Sequence, residues 1–348
     1  MLLSLHSQSY VFDPRPHSPL LVSVKRYWVP RLESKDPGAL TLVLMHGVSF
    51  HNEQWEPLLE DLYRIMATTD LEVPIRDVWA IEAPTHGESA VLNDAVLHPQ
   101  AAQSFSSYRE YKNAVHLVLS GQGKGIDVDF KTRDLIGVGH SMGCVPLLMS
   151  RTLKPTIPWK GAILVEPVIM HPVYDLQLEY SYAARARRRH DVWRSREEAR
   201  KAFREKALRT WDPRVIDVYV RYGLRDLPTA HYPDKTGVTL KCRTALEIAA
   251  YCEPEDRLAA PRQLSSFCAN IPTHAIFGSI EDAVPVRNRD FIINEVADRK
   301  FRTVKIVEGA GHLCVQENPE GVAEHVYSAL AWHSMMAFSS LPETRSKL

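Results

Sequence analysis

Several things are missing from this chain of 348 residues, and each absence narrows what it is. No apolar run approaches the ~18 residues that a membrane-crossing helix needs, so no transmembrane segment is expected. Net charge is also missing: 42 Lys and Arg face 42 Asp and Glu, which argues against a global field for nucleic acid or an anionic membrane. Cysteine is scarce and unpatterned. Cys144, Cys242, Cys252, Cys268 and Cys314 are odd in number and form no C-x-x-C. That speaks against a zinc site and a disulfide framework and fits a reducing compartment. Repeats and low-complexity tracts are lacking too. The first residues, Met1-Leu-Leu-Ser-Leu-His6, have no basic stretch and no long apolar core, so no signal peptide is expected. A composition of 45% hydrophobic and 24% charged residues is that of a globular protein. The length accommodates one large α/β domain with an insertion.

The most informative stretch is Leu135-Ile-Gly-Val-Gly139-His140-Ser141-Met142-Gly143. An apolar strand runs into Gly-x-Ser-x-Gly, and helix-forming residues follow from Cys144. A G-x-S-x-G between strand and helix is the nucleophile elbow of an α/β-hydrolase, a sharp turn that presents the serine hydroxyl. The same glycines also spell Gly137-x-Gly139-x-x-x-Gly143, a weak likeness to a dinucleotide loop with Glu166 as its ribose carboxylate. Two distant motifs fit only the elbow.

The first is Thr41-Leu-Val-Leu-Met-His46-Gly47, an apolar strand ending in His-Gly. The backbone N–H of Val48 then faces the reaction centre, and Met142, after the nucleophile, supplies a second donor for a developing oxyanion. The His46 side chain itself reads as structural. The second is Gly309-Ala310-Gly311-His312, just past the strand 302–307. Small residues around one histidine suit an imidazole that must reach a serine, so His312 is the candidate general base. The third member is a carboxylate that fixes the imidazole tautomer. Glu166 closes the apolar strand 160–166 directly before Pro167, where a charge is buried and needs a partner. After the strand 272–277, Glu281 holds the more usual place for such an acid, and Asp282 stands one residue late. Glu166 is preferred, and the other two remain open as alternatives; their plain reading is a solvated turn with Asp282 capping the next helix. Cys144 and Cys314 flank the serine and histidine and read as small buried filler.

The expected fold is α/β: a mostly parallel sheet flanked by helices, with a helical lid inserted after the sixth strand. An early strand pair at 8–30 and the loop 83–104 belong to the core. Residues 1–167 form its first part, 168–262 the lid, and 263–348 the second part with a targeting tail. The lid pattern is polar and rich in Arg185, Arg187, Arg188, Arg189, Arg194, Arg196, Arg200, Lys201, Arg204, Lys206 and Arg209. Two readings stand. One is a solvated helix with pairs such as Glu197–Lys201 and Glu205–Arg209. The other is a docking surface for phosphates of a CoA-linked substrate. Tyr174, Tyr180, Tyr182, Trp193, Trp211, Tyr219 and Tyr222 line an acyl pocket or pack the lid. The last residues, Ser346-Lys347-Leu348, are a peroxisomal import signal read by a receptor.

His46-Gly47, Ala83-Pro84-Thr85-His86-Gly87-Glu88-Ser89, Gly139-His140-Ser141-Met142-Gly143, Val165-Glu166-Pro167, Gly309-Ala310-Gly311-His312 and the final tripeptide resemble the fungal peroxisomal α/β-hydrolases. That group includes toxin-biosynthesis hydrolases, a peroxisomal lipase-like protein and the acyl-CoA hydrolase of mycophenolic acid synthesis. The resemblance implies an acid after the sixth strand, which falls on Glu166, although relatives often carry Asp. It implies hydrolysis of an acyl-CoA thioester or related ester through an acyl-enzyme, in peroxisomal secondary or lipid metabolism, with no metal or organic cofactor. A carboxylesterase or lipase acting on a non-CoA ester, and a non-hydrolytic ligand-binding protein of the same fold, are the alternatives.

Overall fold

The structure, a computed structural model, describes residues 3–97, 105, 107–171, 181–253, 255–294, 297 and 299–339. The terminal Ser346-Lys347-Leu348 and two of the expected pocket residues, Tyr174 and Tyr180, lie outside them.

The strands are β1 (His6–Phe12), β2 (Val22–Trp28), β3 (Leu40–Met45), β4 (Ile75–Ile81), β5 (Asp134–His140), β6 (Trp159–Val165), β7 (Val192–Trp193), β8 (Leu224–Asp226), β9 (Val238–Leu240), β10 (Thr273–Gly278) and β11 (Thr303–Val307). Eight of them make one sheet in the order β1-β2-β4-β3-β5-β6-β10-β11. Pairing is antiparallel on both sides of β2 and parallel from β4 to β11. A parallel sheet has both faces covered, so its central strands are apolar throughout. Successive side chains then divide between two cores. In β3, Val43 and Met45 enter one core while Leu42 and Leu44 enter the other. In β6, Ala162 and Leu164 part from Ile163 and Val165 in the same way. Each fully buried Leu or Ile of this kind stabilises the fold by roughly 1.5–3 kcal/mol.

Helices follow the expected rhythm with local departures. The segment after β3 opens as a 3-10 turn, Asn52–Trp55, before the α-helix Glu56–Thr68, which carries Pro57 in its first turn. The stretch 83–104, expected as loop, holds a short helix at Gly87–Leu92. Its Ser89 N–H donates to the buried Glu82 carboxylate at 2.6 Å, an anchor that periodicity does not reveal. The helix after the Gly-x-Ser-x-Gly turn is α only over Cys144–Met149, with 3-10 turns at both ends.

Between β6 and β10 the expected all-helical pattern is corrected. A small sheet in the order β7-β9-β8 sits among helices at 181–188, Arg196–Ala202, Pro213–Tyr222 and Thr244–Cys252. Its strands are only two or three residues long, too short for alternation to show. These elements gather a third apolar core around Trp193, Phe203, Trp211 and Tyr219, into which Phe50 reaches from the loop after β3. The helix Glu255–Asn270 runs through the expected boundary at 262 and puts Leu264 and Phe267 into the main core.

Candidate active site

Ser141 follows the last residue of β5 and has φ 53°. A left-handed backbone at a non-glycine residue costs on the order of 1–3 kcal/mol and persists only when its surroundings enforce it. The enforcement is steric. A Cβ on Gly143 would sit 2.0 Å from the carbonyl oxygen of Met45, so the helix start lies directly against the end of β3. Across the turn, a Cβ on Gly47 would come within 3.1 Å of the Ser141 Cβ. The His46-Gly47-Val48 backbone is therefore packed on the serine, and Val48 lines the cavity in front of it. Ser49, the next residue, is also left-handed at φ 72°. The Met142 side chain is buried in the core, and its backbone directly follows the serine.

His312 reaches this turn from the loop after β11. The Ser141 Oγ lies 2.9 Å from His312 Nε2. On the other side of the ring, His312 Nδ1 is 3.1 Å from Glu166 Oε2. A carboxylate accepts, so Nδ1 carries the proton and Nε2 keeps a lone pair for the serine hydroxyl. Glu166 stands one residue past β6 at φ 44°, the third left-handed non-glycine residue among those described. Its N–H donates to the Ile276 carbonyl at 2.8 Å, and its Oε1 accepts the Gly278 N–H at 2.7 Å. Both carboxylate oxygens are thus engaged at a 5% exposed site, which is what a buried charge requires.

The other two candidate carboxylates do not meet the ring. Asp282 Oδ1 accepts the backbone N–H of His312 at 2.9 Å and that of Ala283 at 2.5 Å. Glu281 Oε1 accepts the Val286 N–H at 3.0 Å and so caps the helix Val286–Ile292, the role that the sequence pattern assigns to Asp282. The His312 main chain is held from a further side by His140, whose Nε2–H donates to the His312 carbonyl at 3.0 Å. Burial, with the nearby His312 adding, pushes the His140 pKa down to about 3, so the ring stays a neutral donor. Glu317 also braces the loop, accepting the Gly311 N–H at 2.8 Å. The clamps from Asp282 and His140 have no motif signal, because each joins a side chain to a peptide group 30 or 172 residues away.

His46 is structural, as its setting suggests. Nε2 accepts the Ala83 N–H at 3.1 Å and Nδ1 donates to the Gly47 carbonyl at 2.7 Å. Burial lowers its pKa to about 3. Cys144 and Cys314 are both fully buried. The Cys144 thiol, raised by burial, donates to the Gly139 carbonyl at 3.1 Å.

A cavity of about 740 Å³ opens over Ser141 and His312, and more than half of its lining residues come from the segment 168–262. Tyr182, Trp211 and Tyr219 are among them, whereas Trp193 packs in the third core. Of the basic run, Arg185, Arg188 and Arg189 line the cavity. The rest is distributed over separate elements, and four of these eight residues are ion-paired. Arg196 meets Asp226, and Arg200 and Arg204 share Asp217 at 3.1 and 3.0 Å. The expected partners are exchanged: Lys201 meets Glu205, and Glu197 meets Arg200, each at 3.9 Å. Among the described residues no cluster of His, Cys, Asp and Glu could hold a metal ion, and no helix is long and apolar enough to cross a membrane.

Comparison with known proteins bears on the fold and the family. The chain is 28% identical over 240 residues to the type I acyl-CoA thioesterase mpaH of Penicillium roqueforti, a match covering 66% of this chain and 50% of that protein. It is 30% identical over 121 residues to the abhydrolase domain-containing protein ACTT2-1 of Alternaria alternata, covering 34% and 45%. The matches therefore span about half the length of these curated relatives. The peroxisomal alpha-beta-hydrolase Lpx1 of Saccharomyces cerevisiae shares the fold with a TM-score of 0.71 at 20% identity, over 98% of this chain and 91% of that one. Residues 42–325 match the model of the alpha/beta hydrolase family, a span from within β3 into the helix that begins at Pro319, and the chain belongs to that family.

Proposed function

We propose that this chain is a serine hydrolase that cleaves an acyl-CoA thioester, or a related ester, through an acyl-enzyme in peroxisomes. One observation carries the reading: the unbroken relay from Ser141 Oγ through the His312 ring to Glu166, at 2.9 and 3.1 Å, opening on a cavity large enough for an acyl chain. His312 Nε2 takes the hydroxyl proton as Ser141 Oγ attacks the carbonyl carbon. Glu166 stabilises the imidazolium through Nδ1–H. The oxyanion is received by the N–H groups of Val48 and Met142, the loop of the first being packed against the serine. The leaving thiol or alcohol takes the proton back from His312, and water repeats the sequence to release the acid. Segment 168–262 acts as the lid that shapes the acyl pocket.

The thioester preference rests on the name of the mpaH relative, a type I acyl-CoA thioesterase. The compartment rests on the description of Lpx1 as peroxisomal. The test is Ser141→Ala. Wild-type protein releases free thiol from an acyl-CoA and takes up a fluorophosphonate label, while the variant folds but drops to background in both. Retained hydrolysis by the variant refutes the nucleophile.

A further inference from the structure

The cavity over Ser141 has charges left over, and they are of one sign. Its wall contains three carboxylates, Glu247, Asp282 and Glu317, and four arginines, Arg185, Arg188, Arg189 and Arg257. All three carboxylates are already spent inside the protein. Glu247 faces Arg189 with both oxygens. Asp282 accepts the backbone N–H groups of His312 and Ala283. Glu317 accepts the Gly311 N–H and the Thr210 hydroxyl at 2.8 Å each. Among the arginines, Arg189 is matched by Glu247, and Arg257 gives an Nη1–H to the Tyr251 carbonyl at 2.7 Å. Arg185 and Arg188 are exposed on this concave wall and pair with none of the described residues.

The two sit three residues apart in the helix over 181–188, so their side chains emerge side by side. Tyr182, one turn earlier on the same face, lines the cavity as well and stacks on Tyr251 at 5.4 Å. Its phenol is pushed up to about 12, chiefly by burial, with Asp282 and Glu166 adding and Arg185 opposing. That face therefore lies within electrostatic reach of the carboxylate beneath His312. Two hydrated guanidinium forks lose little solvation on meeting an anion, and their planar donors match the oxygens of phosphate or carboxylate.

Resting on the serine-hydrolase reading, we infer that Arg185 and Arg188 hold an oxyanion of the substrate, a second anionic group placed away from the scissile carbonyl. Its chemistry is that of a phosphate on the carrier or a free carboxylate on the acyl chain. A neutral short ester would leave both guanidiniums unused.

The experiment uses the full chain, wild type and Arg185→Gln/Arg188→Gln, with Arg187→Gln as a neighbouring control for lost surface charge. One acyl group is presented on CoA and on N-acetylcysteamine, which lacks phosphate. A second N-acetylcysteamine thioester carries a terminal carboxylate on its acyl chain. The readout is the ratio of kcat/KM between anionic and neutral thioesters. The double variant is expected to lower one of these ratios about tenfold or more, mainly through KM, while Arg187→Gln changes it less than twofold. A fall in the CoA ratio identifies the carrier phosphate; a fall in the terminal-carboxylate ratio identifies the acyl end. Unchanged ratios for both overturn the inference. Should wild-type protein turn over none of the thioesters, the hydrolase reading fails separately. The same variants are then compared by calorimetric binding of CoA and of the carboxylated thioester. An unaltered Kd for both sinks the oxyanion site; a tenfold weakening of either upholds it.

Discussion

Two carboxylate-bearing turns converge on His312, one at the end of β6 and one after β10, and they do different things. Glu166 is buried, left-handed in backbone and aimed at the imidazole ring. Asp282 is exposed, lines the cavity and takes the same residue by its backbone N–H. Adjacent strands β6 and β10 end side by side, so an acid on either one is near the histidine. Direction and burial, rather than proximity, decide which one can set the ring tautomer and which one holds the loop.

That contrast is open to attack at several points. The largest effect belongs to Glu166→Gln. The amide leaves the shape intact but cannot stabilise the imidazolium, and kcat is expected to fall by about 10³–10⁴-fold in steady-state assays. A loss no greater than that of the Asp282 variants would reverse the assignment of the two turns.

Next is the pH dependence of stability, to which buried imidazoles such as His46 and His140 contribute. The unfolded chain takes up a proton at each of these near pH 6.5, whereas the folded chain keeps both neutral down to about 3. Unfolding then binds protons as pH falls from 6.5, so stability declines in that direction. Each site costs about 2 kcal/mol between pH 7 and pH 5. Denaturant midpoints at the two pH values measure the decline, and replacing His140 by Gln should shrink it.

Asp282→Ala comes third. Loss of the acceptor lets the loop shift, and about a tenfold drop in kcat is expected, with Asp282→Asn close to wild type because its amide oxygen still accepts the His312 N–H. An Asn variant as impaired as Glu166→Gln would mean that the charge, not the acceptor, matters. Glu281→Ala should be mildest. It removes a helix cap worth about 0.5–1 kcal/mol, visible as a small drop in Tm with turnover unaffected.

The sequence made the sheet, the elbow and the histidine loop readable because their signals are local. An apolar strand running into Gly139-His140-Ser141-Met142-Gly143 allows few backbone paths, and the observed β5 and its 3-10 turn lie where that pattern puts them. Glu166 was readable for a different reason: a charge closing an all-apolar strand demands a partner. The helix Gly87–Leu92 and the sheet β7-β9-β8 were hidden, since one hangs on a buried carboxylate and the other on strands too short to alternate. The basic run misled in another way. Its residues follow one another in sequence but diverge in space, and only Arg185, Arg188 and Arg189 turn to the cavity.

By itself, then, the order of residues determined the parallel core and the family and singled out Ser141, His312 and Glu166 as candidates, because these depend on short patterns that constrain the backbone within a few residues. The tertiary structure alone decided that Glu281 caps a helix while Asp282 grips the His312 peptide, that His140 holds the same peptide from another side, and that Arg185 and Arg188 on the cavity wall pair with none of the described residues. Those choices turn on ångström-scale distances between side chains and peptide groups that lie up to 172 residues apart, a relation no local pattern encodes.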